Sequence, residues 1–165
     1  MKRPEELFFQ EKPARAVLAL KELGEGAYQT VVARRIDTTY AHALKVLGEL
    51  ERLKLVRFEQ AGRMKLVGLT DLGEEMAETL RRAGRILELA GIAKRIEEVY
   101  EREVKGKLRA EIRKERVQQE FERLKSKLEE FFNEPPKLGV IARRLRSRID
   151  ECLAEALGLP PESAI

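Results

Sequence analysis

The sequence predicts a mainly α-helical chain carrying one small β-hairpin. Three observations predict it. Apolar residues recur at spacings of three and four over most of the 165 residues. The one dense run of strand formers, Leu55 to Leu69, is interrupted by Gly62. From Gly84 to Asn133 no proline intervenes, and charges of both signs alternate around a thin apolar stripe.

The elements follow in order. Pro4-Glu5-Glu6 opens a short helix with a proline and acids in its first turn, and Leu7, Phe8 and Phe9 are apolar. Lys12 to Leu23 forms a helix with core positions Ala16, Val17, Leu20 and Leu23, and Gly24 ends it. Ala27 to Ile36 reads as a short helix burying Val31, Val32 and Ile36, with Arg34 and Arg35 on its wetter side. Asp37-Thr38-Thr39 offers side-chain oxygens to the free N–H groups of a new helix, so a turn and an N-cap are expected there. That helix, Thr39 to Leu53, carries Ala43, Leu47, Leu50 and Leu53 as one core stripe, with Tyr40, His42, Lys45 and Glu49 off it. Leu55 to Glu59 and Met64 to Leu69 make two strands around a turn at Gln60–Arg63. Thr70-Asp71 caps a further helix whose first turn is acidic.

Two helices, a tight turn between them and a glycine-tipped hairpin, in that order, make a winged helix-turn-helix. The expected layout is therefore a winged helix-turn-helix domain over residues 1–82, a long helical segment over 83–134, and a C-terminal helix and tail over 135–165. Across the first half, Val32-Ala33-Arg34-Arg35-Ile36 with Thr38-Thr39, the run from Leu47 to Val56, and Gly68 to Gly73 resemble the MarR and ArsR groups of winged-helix transcription regulators, and the PadR group more loosely. The resemblance implies a recognition helix at Thr39 to Leu53 in the major groove and a wing near Gly62 reaching toward phosphate or minor groove. It assigns DNA contacts to Thr38, Thr39, Tyr40, His42 and Lys45 on the helix and to Arg57, Arg63 and Lys65 on the hairpin. Two positions depart from the pattern: Asp37 stands where such turns place glycine, and Leu44 stands where a polar reader is common.

In the second half, Ile86, Leu89, Ala93, Ile96 and Tyr100, and then Val117, Phe121, Leu124, Leu128 and Phe131, return at alternating three and four. Val104, Leu108 and Ile112 step by four between them, which breaks a strict heptad and marks a stutter or a bend, and Gly91 and Gly106 are candidate bends. A seam this narrow requires a covering partner. A homodimer placing two recognition helices about one DNA turn apart is the expected one, and a helix folding back on itself is the alternative. Pro135-Pro136 breaks the run. The last helix, from about Leu138 to Leu157, buries Ile141, Leu145, Ile149, Cys152, Leu153 and Leu157, and Pro160-Pro161 follows it. Arg143, Arg144, Arg146 and Arg148 crowd its first half against the helix dipole, so they need either the acids Glu120, Glu122, Glu129 and Glu130 or a phosphate backbone.

Composition bounds the function. A net charge of +4 among 62 charged side chains is a weak overall attraction to nucleic acid, so local placement of Lys and Arg must carry any binding. One cysteine excludes an internal disulfide and fits a reducing cytoplasm, and a secretory leader and a membrane span are not expected. The single His and single Cys lie on different segments, without a phosphate loop or metal-ligand spacing, so neither an enzyme nor a cofactor is expected. The sequence thus points to a dimeric DNA-binding transcription regulator in the nucleoid. An architectural DNA binder and a protein-docking adaptor built on the same fold are the alternatives.

Overall fold

The computed structural model of the chain describes residues 10–159, so the expectations at Pro4–Phe9 and at Pro160-Pro161 lie outside the described residues. The chain divides into two compact units, Met1–Gly84 and Arg85–Ile165, each with its own hydrophobic core.

The first unit is a winged helix. Helix α1 (Glu11–Leu23) tolerates Pro13 because its first-turn N–H groups have no partner within the helix, and it buries Ala16, Val17 and Leu20. Gly24 ends it at a φ of 74°, its N–H donating to Leu20 O. Next come β1 (Ala27–Tyr28), α2 (Gln29–Arg35), α3 (Tyr40–Arg52), β2 (Val56–Ala61) and β3 (Met64–Leu69). The sheet is antiparallel in the order β1-β3-β2. Ala27 and Tyr28, expected in the helix, instead pair with Val67 and Leu66 as a third strand. Gly26, at a φ of 75°, swings the chain onto the edge of β3, and two residues are too few for an alternation to register in the sequence.

The wing is tight. Ala61 pairs with Met64, so Gly62 and Arg63 alone make the turn, and the glycine takes the positive φ of 62° that a two-residue hairpin loop demands at its first position. On leaving β3, the Thr70 hydroxyl donates to Lys54 O at 2.6 Å and accepts from Gly73 N–H at 3.1 Å. It therefore caps the next helix and ties it to the end of α3. A Cβ on Gly73 would lie 2.0 Å from Leu55 O, so only glycine permits this approach.

Helix α4 (Asp71–Glu103) begins in the first unit and enters the second, passing Gly91 without a break. The second unit is completed by α5 (Lys114–Glu129) and α6 (Pro136–Leu157). The helical segment expected over 83–134, with Gly91 and Gly106 as its candidate bends, is two helices joined by a loop at 104–113, with Gly106 at a φ of 72°. The reason is local. Val104 and Lys105 both donate to Tyr100 O, closing the helix end, and left-handed Gly106 redirects the chain.

The doubling-back changes what covers the apolar seam. Leu89, Ile96, Val117, Phe121, Leu124, Leu128 and Phe131, expected at a dimer interface, are buried in one core together with Ile149, Cys152 and Leu153 of α6. Ala93 and Tyr100 are half-buried, and Ile86 remains 48% exposed. Periodicity reveals an apolar face but not whose surface covers it. Here the same chain does. Ile141 and Leu145, expected in the core of α6, are exposed and half-buried respectively.

Glu103 closes this unit from its loop end. Its side chain is 4% exposed, with Arg102 Nε at 2.8 Å, Arg116 Nε at 3.8 Å and Lys107 Nζ at 3.9 Å. The end of α4, the loop and the start of α5 thus meet on one carboxylate. Arg102, with lesser help from Arg116 and Lys107, holds that carboxyl below its ordinary range.

Candidate nucleic-acid interface

The turn into α3 is built from three devices. Asp37 adopts a φ of 53°, the left-handed conformation that glycine serves elsewhere and that Asp tolerates better than most side chains. Lys12 reaches across from α1 and donates to Ile36 O at 3.0 Å and Asp37 O at 2.9 Å, satisfying carbonyls that the end of α2 leaves open. Thr39 is the N-cap of α3, its hydroxyl accepting from His42 N–H at 3.3 Å. The cap is thus Thr39 and not the Asp37 carboxylate. Tyr40 then ties α3 to α2, its phenol donating to Gln29 Oε1 at 2.9 Å.

These devices fix which way α3 faces. Ala43, Val46, Leu47 and Leu50 go to the core. Tyr40, Ala41, His42, Leu44 and Lys45 are exposed, and Thr38 is half-buried beside them. Five of the expected contact residues, Thr38, Thr39, Tyr40, His42 and Lys45, therefore cluster at the N-terminal end of one helix, with the Thr39 oxygen already committed to its cap. Arg63 and Lys65 stand exposed at and next to the wing tip.

Arg57 falls outside both groups. It pairs with Gly68 at the base of the hairpin, its Nε donates to Glu59 at 2.8 Å, its Nη1 donates to Leu69 O at 3.0 Å, and Glu25 lies 3.9 Å away. Hydrogen bonding to Glu59 raises its pKa further. This cation belongs to the sheet. Among the described residues, by contrast, Lys45, Arg63 and Lys65 have no carboxylate within ion-pair distance.

Sequence reasoning passed over three contributors. Lys12 and Gln29 position the turn and the helix from elements that carry no motif of their own. Arg34 is exposed on α2 while its neighbour Arg35 is paired with Glu22, and only its place on the wetter side of that helix signalled it.

The arginine cluster of α6 is occupied differently. Arg146 meets Glu129 at 3.2 Å, Arg143 donates to Phe132 O at 3.4 Å, and Arg148 pairs with Glu97 at 3.2 Å while lying 4.9 Å from the centroid of the Tyr100 ring. Glu129 is one of the acids expected as partners, and Glu97 is not. Cys152, on the inner side of the same helix, is fully buried, and burial pushes its thiol up to about 11. It is a packing residue. Among the described residues no group of three or more His, Cys, Asp or Glu side chains is placed to hold a metal, and no helix is long and apolar enough to cross a membrane.

No protein-family model matches the chain, and no curated protein does. Solved structures do. The Archaeoglobus fulgidus protein AF1382 is similar over 52% of this chain and 98% of its own, at 24% identity and a TM-score of 0.46. A mutant of S. aureus MepR bound to an oligodeoxyribonucleotide is similar over 52% of this chain and 65% of its own, at 23% identity and a TM-score of 0.47. The MarR family transcription regulator SP03579 is similar over 50% of this chain and 56% of its own, at 24% identity and a TM-score of 0.42. Each likeness covers about half of the chain, and the chain spans less than two thirds of the latter two proteins.

Proposed function

We propose that this chain is a winged-helix DNA-binding protein, a transcription regulator that places the N-terminal end of α3 in the major groove and the wing tip on the phosphate backbone. One observation carries the reading. Lys45, Arg63 and Lys65 stand exposed without carboxylates on the recognition helix and at the wing, whereas Lys21, Arg35 and Arg57 of the same unit are paired with acids. Unpaired cations at those two places suit a polyanion whose contacts fix register and orientation. The reading makes the protein a binder rather than an enzyme and places it in the cytoplasm, on the nucleoid.

The test is titration of a random-sequence duplex against the wild type and a Lys45→Ala, Arg63→Ala, Lys65→Ala triple variant at several salt concentrations. The wild type is expected to bind with micromolar affinity that falls steeply with salt. The variant is expected to lose at least tenfold in affinity and to flatten the log–log salt slope by about three. Binding without preference among sequences would favour an architectural role. No binding at low salt would overturn the reading in favour of a protein-docking adaptor, which the exposed Leu44 favours.

We propose further that the protein acts as a homodimer through α4, where Ile86 and Leu87 are 48% and 72% exposed on consecutive positions. Sedimentation of the wild type at micromolar concentration is expected to give a dimer mass, and an Ile86→Glu, Leu87→Glu variant a monomer. A monomeric wild type would remove the dimer while leaving the DNA reading intact.

A further inference from the structure

The exposed face of α3 is poor in polar readers. Ala41, Leu44, Lys45 and Gly48 recur at spacings of three and four and so share one face, opposite the buried Ala43, Val46, Leu47 and Leu50. Leu44 is 37% exposed, and the space beside Gly48 is open. The one arginine of α3, Arg52, stands at its C-terminal end, away from the N-terminal half that carries the expected contacts, and the helix has no asparagine or glutamine to grip adenine. The hydroxyls of Thr39 and Tyr40 are already hydrogen-bonded within the domain. In its N-terminal half α3 thus presents a methyl, an isobutyl group and an ammonium, with His42 and Tyr40 beside them.

One base-pair feature in the major groove is complementary to exposed aliphatic groups, the 5-methyl of thymine. The unpaired Lys45 next to Leu44 favours a polyanion over an apolar partner at this face, and thymine offers a methyl group set among phosphates. Resting on the DNA-binding reading above, we propose that α3 discriminates base pairs chiefly through the thymine 5-methyl group, with Leu44 and Ala41 as its reading residues. The protein then selects A·T over G·C in the major groove by apolar contact rather than by hydrogen bonds. A leucine at a reading position is the basis of its specificity.

The test compares alternating dA-dT and dA-dU copolymer duplexes, which differ by that methyl group, as competitors for the wild type, Leu44→Ala and Lys45→Ala. Leu44 is a surface residue, so its truncation leaves the core untouched. The wild type is expected to bind the thymine duplex about three- to fivefold more tightly for each methyl contacted. In Leu44→Ala the ratio is expected to fall toward one, whereas Lys45→Ala weakens both duplexes and keeps the ratio. Equal wild-type affinity for the two duplexes overturns the methyl reading while leaving DNA binding standing. A preference that persists in Leu44→Ala also overturns it, by assigning the preference to duplex shape. Failure to bind either duplex at low salt overturns the DNA reading itself.

Discussion

Arg146 and Arg148 on α6 and Arg63 and Lys65 on the wing look alike in sequence, as basic residues on charged, exposed elements, and the molecule uses them in opposite ways. In the helical unit Arg148 is held between Glu97 and the Tyr100 ring, Arg146 meets Glu129, and Arg85 lies 3.8 Å from the Phe131 ring centroid while pairing with Glu134 and Glu88. In the hairpin of the winged unit the same chemistry is spent at the base, on Arg57, and withheld at the tip. Cations in the first region fasten helices to one another. Those at the wing tip have no such employment, and the difference teaches that a basic residue is informative about function only once its acid partners have been counted.

The comparison can be broken at its strongest point first. Glu103→Gln removes the carboxylate on which Arg102, Lys107 and Arg116 converge, and it is expected to destabilise the chain by about 2 kcal/mol, less than a fully enclosed pair because those cations are partly exposed. Its pH dependence has a definite sign. The carboxyl is held below its ordinary range in the folded state, so its contribution is full above the unfolded-state pKa and is lost as pH falls through the depressed value. Urea unfolding between pH 6 and pH 3 should therefore show the gap between wild type and Glu103→Gln closing toward the acid end. A gap that stays constant would mean that the carboxylate does not carry the clamp.

A smaller effect sharpens the comparison. Arg148→Ala loses an ion pair and the face of Tyr100, together worth about 1 kcal/mol at a partly exposed site. Thermal denaturation at fixed concentration would measure it, and an unchanged midpoint would put α6's arginines in the same class as the wing's. Smallest of all is the change expected in Lys45→Ala, whose stability should stay within about 0.5 kcal/mol of wild type while its duplex affinity falls. A large loss of stability there would reveal a structural partner and weaken the case for a phosphate.

How much of this was legible in the sequence differs between the two units for a physical reason. The winged unit is punctuated locally. Gly24 stops α1, Thr39 starts α3, Gly62 turns the wing and Thr70 caps α4, each through contacts within a few residues of itself or across one hairpin. What escaped was the two-residue β1, the hydrogen bonds of Lys12 and Gln29 from other elements, and the left-handed Lys54, at a φ of 60°, which closes α3 without a glycine to announce it. In the helical unit the stripe of Ile96, Phe121 and Leu128 was visible, but its destination depends on whether the chain reverses at 104–113. Gly106 signalled a bend without signalling its angle. The Glu103 clamp that holds the reversal reaches across the loop to Arg116, thirteen positions away, a link that the apolar stripe does not announce. For the candidate interface, the helix-end and wing-tip residues could be named in advance. The involvement of Arg57 in the sheet could not, because Glu25 and the Leu69 carbonyl reach it only after β1, β2 and β3 have paired.

Cys152 has a use that its packing role conceals. With a thiol pushed up by burial and no exposed surface, little thiolate forms at neutral pH, and the sulfur is sealed inside the helical unit. A thiol reagent can react only when the three helices part. The labelling rate of this natural, single cysteine therefore serves as a clock for opening of one unit, read without a mutation and separately from whatever the winged unit does.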